Sequence, residues 1–364
     1  MIETMPETMS PSCKILALSL LPALALPALS CSASPETLRS PHSLQIHPST
    51  QRLDHPSNQH RESETESETA ASSSFSIQEY SGVPDGLSGL ARDRDGRLWA
   101  VAETSHQLVM LDGRPARTLD IHGVPAGLEL ESLAFLDDGR LAIGTESEDR
   151  DRRSDLILFA TRSRDRFVVQ GSMEVPYSLW DLHSTSDEGI EAICSTDGLL
   201  VVASEKVIED SAGRAAPLGI YDLARGTWRT ARLPLTSDKG KISGLACRAM
   251  VGSTGHASDI EFIAIERHFH VRRGLRWTMA RDLASATRDQ LLTVTPTVFF
   301  DISRDSTDNP EGIEWVDDDA GRDDHRSVVA MITDNYFHDQ RSGQSKLLMV
   351  GQATPVQATA SDPR

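Results

Sequence analysis

Short apolar runs broken by turn-forming pairs recur between residues 80 and 350, and the clearest of them is GLELESLAFLDDGRLAIGTE at residues 127–146. Two β-rich runs joined by Asp138-Gly139 predict a hairpin. The same pattern occurs five times. Ser or Glu, a small residue and an aliphatic open each copy: Ser88-Gly89-Leu90, Glu131-Ser132-Leu133, Glu191-Ala192-Ile193, Ser243-Gly244-Leu245 and Glu311-Gly312-Ile313. An acid ends the second run of each: Glu103, Glu146, Glu205, Glu266 and Asp334, placed 15, 15, 14, 23 and 23 residues after the opening residue. In the first three copies Asp-Gly stands just before the second run (Asp95-Gly96, Asp138-Gly139, Asp197-Gly198), its glycine seven residues ahead of the acid.

Further strand-like runs follow each hairpin: 107–111 and 117–121, 156–160 and 166–173, 218–223 and 227–233, 275–280 and 291–300, and 346–350. Strands of this length and spacing, with no competing amphipathic helix, predict an all-β fold. The openings lie 43, 60, 52 and 68 residues apart, a period that fits four-stranded antiparallel blades of a β-propeller. Five blades are legible, and the long segments 153–183 and 281–305 leave room for a sixth. Apolar residues on both sides of the hairpin strands, as in Leu199-Leu-Val-Val202, fit blades packed face to face. The run Phe75–Tyr80 is expected to close the ring by joining the last blade.

If each Asp-Gly is a two-residue type I′ turn, the register is set. Ser88 then faces Glu103 and Glu131 faces Glu146, while Glu191 and Glu205 miss by one residue, which a bulge absorbs. Around a ring, the opening residues and their partner acids gather at one mouth of the channel. The serines are expected to bond neighbouring backbone. The glutamates call for another explanation, because like charges facing one another destabilise a sheet.

The ends of the chain read differently. After Met9, a candidate start, Lys14 precedes an apolar segment at 15–29 that is too short and proline-broken for a membrane span. Residues 1–31 are expected to be a signal peptide of lipoprotein type with Cys31 as the lipidated residue; plain secretory cleavage is the alternative. Residues 32–74, rich in Ser, Glu, Thr and Pro, read as a disordered linker. The propeller domain is expected at 75–352 and a disordered tail at 353–364. The protein should therefore be exported, periplasmic or on the outer surface, a monomer, and touch a membrane only through its lipid. Cys194 and Cys247 are expected as buried thiols, with a disulfide between them as the alternative.

The 364 residues carry a formal net charge of −18, which argues against nucleic acid as a partner. No Gly-x-Ser-x-Gly nucleophile elbow supports a serine esterase.

The closing segment Asn309-Pro-Glu311-Gly312-Ile313-Glu314-Trp315, then Ile332-Thr-Asp334-Asn335-Tyr336-Phe337, resembles the signature of the phytase-like family. Gly86-Leu-Ser88-Gly-Leu-Ala91 is similar to that family's opening, and Glu266-Arg267-His268-Phe269 to its Glu-Arg-x-Phe segment. The resemblance implies an exported propeller acting on phosphate esters. The mouth carboxylates Glu131, Glu146, Glu205, Glu266 and Asp334 are candidate ligands for a divalent metal, with calcium favoured by oxygen-only donors. Glu131, Glu191 and Glu311 are the catalytic candidates. Lys206 and Arg267, each directly after a ring acid, are candidates to bind the phosphate of a small ligand. The alternatives are a non-catalytic binding propeller and a sugar lactonase-like propeller.

Overall fold

In the computed structural model the described residues lie within 73–352, apart from 114, 148, 150, 184–187, 252–256, 269–270, 282–290, 303–308, 317–327, 335, 338–339 and 342–343. The leader, Cys31, most of the linker and the tail lie outside them. Among the described residues no helix is long and apolar enough to cross a membrane.

Four-stranded antiparallel units succeed one another along the chain. The first comprises Leu87–Arg92, Leu98–Ala102, Gln107–Met110 and Arg117–His122. The second comprises Leu128–Phe135, Leu141–Ser147, Ser154–Ser163 and Arg166–Pro176. Ala192–Thr196, Leu199–Ala203, Gly213–Asp222 and Thr227–Pro234 form the third. Lys241–Val251, Ala257–His268, Val271–Ala280 and Thr297–Asp301 form the fourth. The fifth is Asn309–Trp315, Val328–Asp334 and Ser345–Gln352, completed by the N-terminal strand Ser73–Tyr80. The ring thus closes as the sequence predicts, and the Tyr80 hydroxyl fastens it by donating to Leu111 O at 2.6 Å in the first unit. Of the two segments with room for a sixth blade, the described residues include outer strands, 154–176 of the second unit and 297–301 of the fourth.

The first strands of the units contact one another in cyclic order, and the fold is a β-propeller. Its core lies between units. Trp99 and Leu108 meet Leu133 and Phe167; Ala142 and Ile157 meet Ile193 and Val202; Leu199 and Leu218 meet Phe262 and Trp277. Ile263 and Phe300 then meet Ile313 and Met331, and Ile332 and Leu347 meet Leu87 and Val109. Each hairpin strand is therefore apolar on both faces because each face meets a different neighbour. Cys194 and Cys247 form a disulfide, Cα–Cα 5.7 Å, which corrects the expectation of free thiols. It links the inner strands of the third and fourth units. Closing a separation of 53 residues, it removes about 4 kcal/mol of unfolded-chain entropy.

The predicted hairpin register holds in only one of the first three units. Asp197 and Gly198 both have positive φ (51° and 75°), a two-residue type I′ turn that pairs Thr196 with Leu199. In the first two units only the glycine of the pair is left-handed, Gly96 at 81° and Gly139 at 86°. Gly96 N–H donates to Asp93 O and Gly139 N–H to Leu136 O, both at 2.9 Å. These are type I turns ending in a glycine bulge. The longer loop shifts the register by one residue, and a second irregularity follows at the opening motif itself. Ser88 therefore pairs with Val101, not Glu103. Glu146 pairs with Glu129, and Glu131 sits in the bulge between Leu130 and Ser132.

Candidate functional site

The bulge recurs and sets up the site. It falls on Glu131 in the second unit, on Ser243 between Ile242 and Gly244, and on Glu311 between Pro310 and Gly312. A bulge turns its side chain out of the pleat. In each copy the next residue is small because the inner strands converge there. A Cβ on Gly312 would lie 2.3 Å from Gly89 C, one on Gly89 2.8 Å from Ser132 Cα, and one on Gly244 3.3 Å from Gly312 Cα. Gly89, Ser132, Ala192, Gly244 and Gly312 line this constriction, which has no room for a water molecule. The axis is shut at this layer, and the acids stand beside a closed floor.

The two serines behave as expected: Ser88 Oγ donates to Glu131 O at 2.6 Å and Ser243 Oγ to Pro310 O at 2.9 Å, each stapling neighbouring inner strands. The glutamates do not. Glu131, Glu191 and Glu311 are buried and within electrostatic reach of one another and of Glu103, Glu146, Glu205 and Asp334. The predicted ring acids of four units are thus brought together. The fourth unit's acid is not among them. Glu266 accepts from the amide and hydroxyl of Thr236 and of Ser237, with Ser237 N at 3.0 Å and Ser237 Oγ at 2.6 Å. Its carboxylate holds the loop that leads into its own unit.

Burial is the leading cause of the acids' behaviour. It raises Glu103, Glu146 and Glu311 to about 8, aided by Asp334 and Glu311 at Glu103, and opposed by Arg152 at Glu146 and by Arg267 at Glu311. Glu131 and Glu191 are pushed well above the usual carboxylate range, first by burial, then by Glu103 at Glu131 and by Glu131 at Glu191. Repulsion among carboxylates in a poorly solvated place favours the protonated form.

The cations form a chain of ion pairs. Lys206 lies 5.8 Å from the Tyr177 ring centroid and 3.7 Å from Glu188 Oε2. Glu188 also takes Lys241, whose Nζ is 3.4 Å from Glu205 Oε2. Arg267 Nη2 faces Glu205 Oε1 at 4.0 Å, and its Nη1 reaches Glu311 Oε1 at 2.9 Å and Asn309 Oδ1 at 2.8 Å. Arg152 is matched by Asp155 at 2.7 Å and by the Tyr177 hydroxyl at 2.9 Å, and stands 3.8 Å from Glu146. Carboxylates outnumber these cations. Lys206 and Arg267 are thus linked through Glu188, Lys241 and Glu205.

Sequence reasoning missed Glu129, Lys241 and Asn309, although a signal exists. They stand two residues before the opening residue, where the first and third units have Gly86 and Gly189. Those glycines make room for acids: a Cβ on Gly86 would lie 3.1 Å from Glu103 Oε2, and one on Gly189 2.7 Å from Glu146 Cβ. Arg152 and Glu188 come from connecting segments and carry no such mark.

The fold and mouth define a propeller with a closed floor and an acidic rim. The family described as "Phytase-like: Esterase-like activity of phytase" matches residues 84–337, and the chain belongs to it. No curated protein sequence matches the chain. Among solved structures it is similar to the PQQ-bound aldose sugar dehydrogenase of Streptomyces coelicolor, at 12% identity and TM-score 0.42, over 78% of this chain and 99% of that one. It is also similar to the soluble aldose sugar dehydrogenase of Escherichia coli in its apo form, at 10% identity and TM-score 0.41, over 77% and 100%. Virginiamycin B lyase of Staphylococcus aureus with quinupristin is similar at 9% identity and TM-score 0.35, over 76% and 99%. Likeness this distant says nothing about what the present chain binds.

Proposed function

We infer that the acidic mouth is the working site, and that it takes a small phosphate ester together with a divalent cation and hydrolyses it. One observation carries the reading: Glu311 Oε2 is a buried carboxyl oxygen without a hydrogen-bond donor among the described residues, in a mouth where acids exceed cations. Among the described residues no three His, Cys, Asp or Glu side chains already converge as a metal site. The fit instead rests on the all-oxygen donor chemistry and on that orphaned oxygen. Glu311 would hold the ion, with Asp334 and Glu205 within electrostatic reach of it, and calcium suits irregular oxygen ligation. When bound, such an ion polarises a phosphoryl oxygen and lowers the pKa of a water.

The chain's own groups supply the rest. Glu131 and Glu191, held protonated by burial and by their neighbours, are the groups to protonate a leaving oxygen. The closed floor confines a ligand to one face. The disulfide supports export to an oxidising compartment, and we extend this to anchoring through a lipidated Cys31. The test is thermal unfolding of chelator-treated protein with and without calcium, followed by phosphate release from phenyl phosphate. Calcium should raise Tm by mass action and be required for release. No shift and no release at any calcium concentration would leave a non-catalytic binding propeller as the better reading.

A further inference from the structure

The inner strands run from the acidic mouth, through the constriction, to the opposite end of the propeller, and there the repeat is broken once. Three residues after its opening residue the repeat carries Ala91, Ala134, Cys194 and Ala246, but Glu314 in the fifth unit. The four small residues are buried. Glu314 follows Gly312 and Ile313, which line the shut floor, and so stands beyond that floor from the mouth.

Two guanidinium groups from neighbouring units flank it. Arg92 ends the inner strand of the first unit and Arg248 stands on that of the fourth, and both strands pack against the fifth unit's inner strand. Each arginine is held by its surroundings. Arg92 Nε donates to Gly96 O at 3.3 Å in its own hairpin turn, and a Cβ on Gly96 would stand 3.1 Å from Arg92 Nη2. Arg248 Nε donates to Glu261 Oε2 at 2.7 Å, and its guanidinium stacks 3.8 Å over the Trp315 ring. Glu261 also takes Arg276, so two guanidinium groups share that carboxylate. Trp315 Nε1 is buried and has no acceptor among the described residues.

Glu314 is within electrostatic reach of both Arg92 and Arg248. It accepts from the amide of Trp315 at 2.7 Å and from that of Arg92, and Ala330 is its neutral partner across the hairpin. Burial is the leading cause acting on it and raises it to about 7, opposed by the two amides and the two arginines. Behind Arg248 stands the acid Glu261 with Arg276. When Glu314 takes up a proton, the two positioned arginines lose its counter-charge. Guanidinium groups so placed suit the oxygens of a carboxylate or a phosphate.

We propose that this end of the propeller is a second ligand site, where Arg92 and Arg248 grip a small oxyanion, a carboxylate or phosphate group, beside Glu314. The anion competes with ionised Glu314 for the same arginines, so its binding takes up a proton near neutral pH, as linkage requires. The site is independent of the acidic mouth, from which the closed floor separates it.

Calorimetric titration of the full chain with sodium sulfate and, separately, sodium oxalate, at constant ionic strength and at pH 6 and pH 8, tests this. Both probes stay dianionic across that range, so a change in affinity reports on the protein. Their relative strength separates a phosphate-type from a carboxylate-type ligand. Wild type should bind the better probe about tenfold more tightly at pH 6, the ratio of protonated fractions for a group that titrates at about 7. Glu314→Gln should bind at pH 8 to within about twofold of wild type at pH 6, because the competing charge is gone. Arg92→Gln should bind about tenfold more weakly than wild type at pH 6, the loss of one charge-assisted contact. No saturable binding of either probe to wild type at pH 6, unchanged binding in Arg92→Gln, or a pH dependence that survives in Glu314→Gln overturns the site. Should Arg92→Gln fail to fold, Glu314→Gln decides alone, and none of these outcomes bears on the mouth.

Discussion

Glu261 and Glu311 are both buried acids on inner or adjacent strands, and their surroundings differ in one respect. Glu261, 2% exposed, is flanked by Arg248 Nε at 2.7 Å and Arg276 Nε at 2.6 Å, and Arg248 lies 3.8 Å over the Trp315 ring. Each of its oxygens has a guanidinium. Glu311 shares one guanidinium with Glu205 and leaves an oxygen without a donor among the described residues. The fold can match a buried acid fully where only stability is at stake. Glu311 is not matched in this way, and the proposal that the mouth is the working site rests on that difference.

The comparison is sharpest at Glu261. Glu261→Gln should destabilise the domain by about 3 kcal/mol, because it leaves two partly buried guanidinium groups facing a neutral amide. Urea unfolding measures this, and a loss below about 1 kcal/mol would put Glu261 in the same class as the mouth acids. Glu131→Gln should have the opposite sign. In calcium-free protein near pH 8 it should add about 1–2 kcal/mol, since the unfolded chain no longer gains by ionising a group that the native state keeps protonated. A destabilised variant would mean that protein cations already satisfy Glu131.

The pH dependence tests the same contrast. Glu103, Glu146 and Glu311 rise from 4.5 to about 8 in the folded state, burial being the largest cause. Between those values the native protein retains protons that the unfolded chain has lost, so stability is fullest below 4.5 and declines as pH rises towards 8. The Tm of calcium-free protein should fall across this window, each group contributing at most about 1.4 kcal/mol per pH unit. Glu131→Gln should flatten the fall. A Tm that climbs with pH would show that the mouth acids are ionised and matched.

Much of this was legible beforehand, and what was not has specific causes. The units, their outer strands and the closing strand follow from apolar runs and turn pairs, which are local. The register does not, because Asp-Gly serves two turns. Asp197 adopts a left-handed φ and makes a two-residue loop, while Asp95 and Asp138 do not and make a longer one. One residue of slip at the turn and a second at the bulge on Glu131 then moved Glu146 opposite Glu129. The ring acids could be named from the repeat, yet Glu266 was lost to Thr236 and Ser237, and nothing in Glu-Arg-His marks a loop thirty residues earlier as its partner.

By itself the sequence determined the β-rich repeat, its small residue and the identity of the acids, since each is a property of a few neighbouring residues. Only the tertiary structure decided what those features mean. The small residue is needed because the described inner strands meet at the axis, and Gly312 has Gly89 at its back. Cys194 and Cys247 are bonded because adjacent inner strands bring their Cα atoms to 5.7 Å. Arg267 is committed to Glu311 and Asn309 because the fourth and fifth units are neighbours in the ring. Electrostatic and steric contacts act over a few ångströms in space, and the separations along the chain that they span here, 42 residues from Arg267 to Asn309, carry no local signal.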